Sequence, residues 1–222
     1  MKKGSGILLS VLMASSMGFA GKNVMIAEDP IAPVVGNFYV GAGVSLVNFE
    51  YSDLVYDIEG GGGDIPGTFE YEWKAGMVLA GYKFNDYISV EGRYTKSIGD
   101  ATYTGPSGEV MSPIDDHMTS AEFDNIALYL KPTLQFDQFA LYGLLGYGKT
   151  NVTWGNGTEN SDSSFQYGAG LSFAFTENLS VFADYVVMYD DDDFDGLVAA
   201  HPNNHLKEFK ADAVTVGLIY TF

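Results

Sequence analysis

Two groups of residues in this chain could do chemistry. Asp191, Asp193, Asp195 and Gly196 fit the opening D-x-D-x-D-G of a calcium loop, in which oxygen ligands at alternate positions and a Gly turn surround a hard cation. The position of the closing bidentate carboxylate is Pro202, so the motif is truncated, and a solvated acidic loop accounts for the same residues. No metal is assigned. The second group is Glu70, Glu72, Lys74, Glu91, Arg93, Lys131 and Asp184, each on the polar face of an alternating segment. On strands, such residues would face one enclosed interior as a lumenal charge network, where an unpartnered charge is costly and acids must find bases. Arg93 is expected to be held there by Glu72 or Glu70.

Catalysis would need a nucleophile, a base and an orienting group within reach of one another. His117, His201 and His205 all fall in predicted loops and form no such spacing. No catalytic or cofactor-binding residue is assigned, and the chain is read as non-enzymatic without a cofactor.

The elements that must position the charges are strands. In GNFYVGAGVSLVNFE (36–50), Phe38, Val40, Ala42, Val44 and Leu46 share one face, opposite Tyr39, Gly41, Gly43 and Ser45. FEYEWKAGMVLAGYKF (69–84) sets Tyr71, Trp73, Ala75, Met77 and Leu79 against Glu70, Glu72, Lys74 and Gly76. The third strand opposes Ile88, Val90 and Tyr94 to Ser89, Glu91, Arg93 and Thr95. The fourth, Glu122 to Phe136, turns Ile126, Leu128 and Leu130 outward and Asn125, Tyr129 and Lys131 inward. The fifth is apolar on both sides, with Gly146 and Gly148 marking the inner one. Three more alternate: Phe165 to Phe173 against Gln166 to Ser172, Leu179 to Val187 against Ser180 to Val186, and Val214 to Phe222 against Ala213 to Thr221.

Asn85-Asp86, Asp137-Gln138 and Thr176-Glu177-Asn178 read as tight turns, whereas the other joins are long and centre near Gly61, Gly105, Asn156 and Asp193. FNDYISVEGRY (84–94) and FTENLSVFADY (175–185) share a Phe, an acidic turn, Ser-Val and a closing Tyr, a repeated hairpin unit. Short turns on one rim and long loops on the other are the pattern of an outer-membrane barrel. The polarity of the faces separates this from a soluble lipid-binding barrel, which would turn its oily face inward.

Export is expected from the N-terminus: Lys2-Lys3, an apolar Ile7–Met13 and Gly18-Phe19-Ala20 read as a signal peptide over residues 1–20. Residues 21–35 read as a periplasmic segment and 36–222 as the barrel domain. Losing Lys2 and Lys3 makes the formal net charge of −18 more negative by two, which excludes nucleic acid as a partner. The chain has no Cys, hence neither disulfides nor a lipoprotein anchor, and its 15 Tyr, 15 Phe and 27 Gly favour strands and tight turns. Phe38, Trp73, Tyr94, Phe139, Phe173 and Phe222 are expected at the membrane interfaces. Thr215, Gly217, Tyr220 and Phe222 fit polar-x-Gly-x-x-aromatic-x-aromatic, a pattern that resembles the assembly signal of outer-membrane barrels.

LYGLLGYGKTNV (141–152), QYGAGLSFAFTENLSVFADY (166–185) and the closing VGLIYTF resemble strands five to eight of the OmpX/Ail group, within the OmpA-like small-barrel superfamily. That resemblance implies an all-β, eight-stranded antiparallel transmembrane barrel of the bacterial outer membrane, with a side-chain-filled lumen and a structural or surface-interaction role. The strongly acidic loops depart from the group and argue against adhesion to polyanionic surfaces. Expected partners are outer-membrane lipid and lipopolysaccharide, and the barrel-assembly machinery during biogenesis; the protein is expected to be a monomer. The alternatives are a porin-like channel for small solutes and, further off, an outer-membrane enzyme or a soluble lipid-binding barrel.

Overall fold

The computed structural model describes residues 37–57, 63–105, 110–111, 121–191 and 209–222. The strands are β1 (Asn37–Asp57), β2 (Gly63–Lys83), β3 (Ile88–Ser97), β4 (Thr102–Thr104), β5 (Val110–Met111), β6 (Glu122–Phe136), β7 (Phe139–Thr153), β8 (Glu159–Ala174), β9 (Leu179–Asp191) and β10 (Phe209–Thr221). All pairings are antiparallel, in the order β1-β10-β9-β8-β7-β6-β3-β2 with β1 closing on β2. β4 resumes the barrel strand that β3 begins, since both pair with β2, through Glu72↔Thr102 and Ala75↔Ser97. Gly99, at φ 84°, lies in the break between them. Eight barrel strands therefore close a cylinder, and β5 adds only to β4 at its upper edge.

The repeated unit of the sequence is one turn built twice. Asn85 Oδ1 accepts from the amides of Tyr87 and Ile88 at 2.8 and 2.9 Å, and Thr176 Oγ1 accepts from those of Asn178 and Leu179 at 3.3 and 3.0 Å. The third tight turn places Asp137 at φ 55°, a left-handed conformation that Asp tolerates better than most side chains. On the opposite rim the expected long joins are partly strand. β1 and β2 stay paired as far as Asp57↔Gly63, and β7 and β8 as far as Thr153↔Glu159, so Asn156 sits in a five-residue turn from Trp154 to Thr158. The positions near Gly61 and Asp193, the segments 1–20 and 21–35, and all three histidines lie outside the described residues.

The outward face changes character along the barrel axis. From the short-turn rim upward it is apolar, with Phe136, Phe139, Phe175 and Phe222 low, Leu128, Leu171, Val216 and Leu218 midway, and Tyr94, Tyr147 and Tyr185 at its upper border. Above that border the same face carries Glu70, Glu72, Lys74, Lys96, Glu122 and Lys149, all exposed. An apolar band between aromatic borders is what lipid contact demands. The short-turn rim of such barrels faces the periplasm, and here the strands run on beyond the band at the other end. The interior changes in the opposite sense. Its lower half holds the buried charges beside a small apolar group of Met77, Leu79, Phe182 and Ile219, whereas its upper half is a cluster of Val47, Phe49, Tyr71, Trp73, Phe123 and Tyr189 with their neighbours. No described helix is long and apolar enough to cross a membrane.

This inversion corrects the reading of β2. Glu70, Glu72 and Lys74 point out to water, and Tyr71, Trp73, Ala75, Met77 and Leu79 point in. Trp73 is 0 % exposed and therefore belongs to no interfacial girdle. The pairing shows why: Trp73 lies opposite Val47 and Tyr71 opposite Phe49, and directly paired residues share a face. At Tyr71 and Trp73 the strand stands above the lipid band, where the outside is water, whereas Met77 and Leu79 lie level with the band and join Tyr39, Phe182 and Ile219 in a small apolar group inside the lower lumen. In β9 the alternation ends at a bulge around Met188, and Val187, expected outward, is buried with Met188 and Tyr189.

Candidate functional site

Inward positions on six strands converge on one charged cluster in the lower lumen. Glu91 and Arg93 share the inner face of β3 because they are two residues apart. Arg93 Nε donates to Glu91 Oε1 at 2.7 Å, and its two terminal nitrogens grip Asp184 of β9 at 3.1 and 2.7 Å. Lys131 of β6 donates to Glu91 Oε2 at 2.7 Å. Two cations and two carboxylates thus form one neutral chain, with Glu91 bridging both bases. Fork-like Arg–carboxylate contacts are the strongest of such pairings and fix the geometry of both partners.

Tyrosines supply further donors to both carboxylates. Tyr39 of β1 donates to Glu91 Oε2 at 2.8 Å, and Tyr142 of β7 donates to Asp184 Oδ2 at 2.9 Å. Tyr129 of β6 donates to Gln166 of β8. The cations also lie over rings: Lys131 Nζ is 4.1 Å from the Tyr142 ring centre, and the Arg93 guanidinium is 5.6 Å from that of Tyr129 and 5.9 Å from that of Phe182. A buried charge network is tolerable only when every member has such partners.

Glycines make room for those rings. In register, Tyr39 lies opposite Gly81, Tyr129 opposite Gly146, Tyr142 opposite Gly170 and Phe182 opposite Gly217. Each aromatic ring folds over its partner glycine, so a side chain there would meet the ring. Gly170 is the sharpest case, because a Cβ would strike both the Tyr142 ring and the Asp184 side chain. Gly170→Ala is expected to push Tyr142 off Asp184 and cost about 1–3 kcal/mol of stability, read as a lower unfolding temperature in detergent.

The site joins Glu91, Arg93, Lys131 and Asp184, and it excludes Glu70, Glu72 and Lys74. Arg93 is held by Asp184 and its own strand neighbour Glu91 instead of by Glu72 or Glu70. β3 and β9 lie four strands apart in either direction, so Arg93 and Asp184 meet across the full width of the lumen. They also occupy matching positions of the repeated unit, next to its closing Tyr94 and Tyr185. The sequence reading missed Tyr39, Tyr129, Tyr142 and Gln166. The signal for the three tyrosines was present as inward aromatics facing inward glycines, but only the register pairs them. Of the calcium candidates, Asp191 ends β9 and is exposed, and Asp193 and Asp195 lie outside the described residues.

Below the cluster a cavity of ≈ 290 Å³ opens on the short-turn rim, lined by Lys83, Lys131, Tyr39, Tyr142, Gln135 and Ser172 among others. Above it lies the apolar layer, where Trp73 Nε1 donates to the Ala121 carbonyl at 2.7 Å and its ring is 5.6 Å from that of Phe123.

Residues 7–222 match the family described as the outer membrane protein beta-barrel domain. The chain belongs to that family. This outer-membrane barrel is accordingly a protein of the bacterial outer membrane. Among solved structures it is similar to the outer membrane protein AlkL in lipid bilayers, at 15% identity over 94% of this chain and 97% of that one, with a TM-score of 0.55. It is also similar to OprG from Pseudomonas aeruginosa, at 16% identity over 84% and 96%, with a TM-score of 0.50. Ail of Yersinia pestis, at 20% identity over 82% and 98%, gives a TM-score of 0.38. At these identities the likeness establishes the fold alone. The resemblance carried by residues 141–152, 166–185 and the closing VGLIYTF holds at the level of small eight-stranded outer-membrane barrels. Among curated proteins, no sequence matches the chain significantly.

Proposed function

We propose that this outer-membrane barrel is a non-enzymatic, monomeric protein with a closed lumen, whose role is structural or exercised through its outer surface. The observation that carries this reading is the Lys131–Glu91–Arg93–Asp184 chain, which spans the lumen and uses each charge on another. A second barrier stands in series with it, the apolar layer around Trp73 and Phe123, where an ion would lose its hydration without compensation. An eight-stranded barrel has an interior about wide enough for side chains alone. Groups bound to one another in this way are not poised to attack a substrate, which supports a non-enzymatic role. Among the described residues of the outward strand extensions, exposed Glu70, Glu72, Glu122, Glu159, Asp190 and Asp191 outnumber Lys74, Lys96 and Lys149, and this surplus suits contact with cationic or cation-bridged partners more than with polyanions.

The rival reading is a narrow channel fed from the lower cavity. Purified protein in planar bilayers separates the two. Seals without discrete conductance steps are expected, and reproducible single-channel openings of the wild-type protein would overturn the closed-lumen reading.

A further inference from the structure

The outer wall carries a groove that the lumen does not use. Its volume is ≈ 720 Å³, and it crosses β2, β3, β6 and β7 obliquely within the apolar band. The floor is Ala80 paired with Gly92, and a Cβ placed on Gly92 would meet only the Ala80 carbonyl at 3.9 Å, so this stretch of wall is bare. Tyr94, Ile126, Leu128 and Tyr147 rise along its sides. Its upper end reaches Lys149 and Ser163, at the border where the outward face turns from apolar to charged.

We propose that this groove seats one acyl lipid of the surrounding leaflet, with its chain over Gly92 and a phosphate headgroup against Lys149. The apolar lining inside the lipid band specifies a hydrocarbon chain as occupant. Charge specifies the headgroup. Lys149 is exposed and has no ion-pair partner among the described residues, in a chain of net charge −18. The neighbouring cation Lys96 is engaged by Glu122 at 3.2 Å, and the nearby carboxylate of Asp124 accepts from Asn151 at 2.8 Å. Lys149 is thus the base at the groove mouth that is left for an anion, at the depth where lipid phosphates lie. The seat is independent of whether the lumen conducts.

Native mass spectrometry of the full-length protein, released from micelles containing dimyristoyl phosphatidic acid or dimyristoyl phosphatidylcholine at equal concentration, tests this. The wild type is expected to retain one phosphatidic acid in preference to phosphatidylcholine. Lys149→Gln should lower retention of phosphatidic acid about fivefold, to the level of the zwitterionic lipid. Gly92→Leu should lower retention of both lipids by filling the floor, with Ala80→Leu as the second variant should Gly92→Leu fail to give the folded, heat-modifiable band. Lys74→Gln, outside the groove, should leave the preference unchanged. Wild-type preference in Lys149→Gln, an equal loss in Lys74→Gln, or full retention of both lipids by the floor variants would each overturn the seat.

Discussion

Arg93→Leu is expected to destabilise the folded barrel by about 3–5 kcal/mol, because it leaves a buried carboxylate without its base. The burden falls on Asp184. Glu91 keeps Lys131 at 2.7 Å and Tyr39 at 2.8 Å, whereas Asp184 loses both guanidinium contacts and retains only Tyr142 at 2.9 Å. Asp184 is 5 % exposed, so water cannot replace the lost cation at low cost. Arg93→Leu combined with Asp184→Leu should recover much of the loss, since a matched pair removed together leaves no orphaned charge. Heat-induced unfolding in detergent, followed by the shift in gel mobility, reads both variants. Conductance of Arg93→Leu supplies the contrast: in a hydrated channel the change would be screened by water, altering ion selectivity while stability held. That pairing of results would sink the plug.

Trp73→Ala should cost about 3–5 kcal/mol through a cavity in the upper lumen, with a further penalty from the Ala121 carbonyl left without its donor. The same residue tests the orientation of β2 directly. The chain has two tryptophans, Trp73 fully buried and Trp154 packed against the interior cluster with its Nε1 on Asn160 at 2.7 Å. Brominated acyl chains should therefore leave the intrinsic fluorescence nearly unchanged on reconstitution. Strong quenching, together with a wild-type unfolding temperature for Trp73→Ala, would mean that the oily face of β2 meets lipid after all.

Much of the barrel was present in the residue pattern, for a physical reason. A strand in lipid must be apolar outside, so wherever a segment crosses the bilayer its alternation states its phase. β1, β3, β6, β8 and β10 could be oriented from Val40, Tyr94, Leu128, Leu171 and Val216 with no partner strand in view. The tight turns were equally local, because Asn85, Asp137 and Thr176 satisfy or tolerate their own backbone geometry. The burial of Glu91, Arg93, Lys131 and Asp184 follows from the same alternation.

What the pattern could not contain was height along the barrel axis and pairing across the lumen. Glu70, Glu72 and Lys74 alternate as cleanly as Glu91 and Arg93 do, and only their position above the lipid band reverses which side is water. The contact between Arg93 and Asp184 joins residues ninety-one positions apart on opposite strands. It depends on closure of the barrel and on the relative stagger of eight strands, which no single segment encodes. The tyrosine–glycine pairs show the same division. The residue types lay in the sequence, but Tyr142 can reach Asp184 only because the register of β7 against β8 sets Gly170 beneath its ring. Local alternation thus determined the fold and the polarity of most faces, while interstrand register and depth in the membrane, both properties of the closed barrel, decided which charges meet.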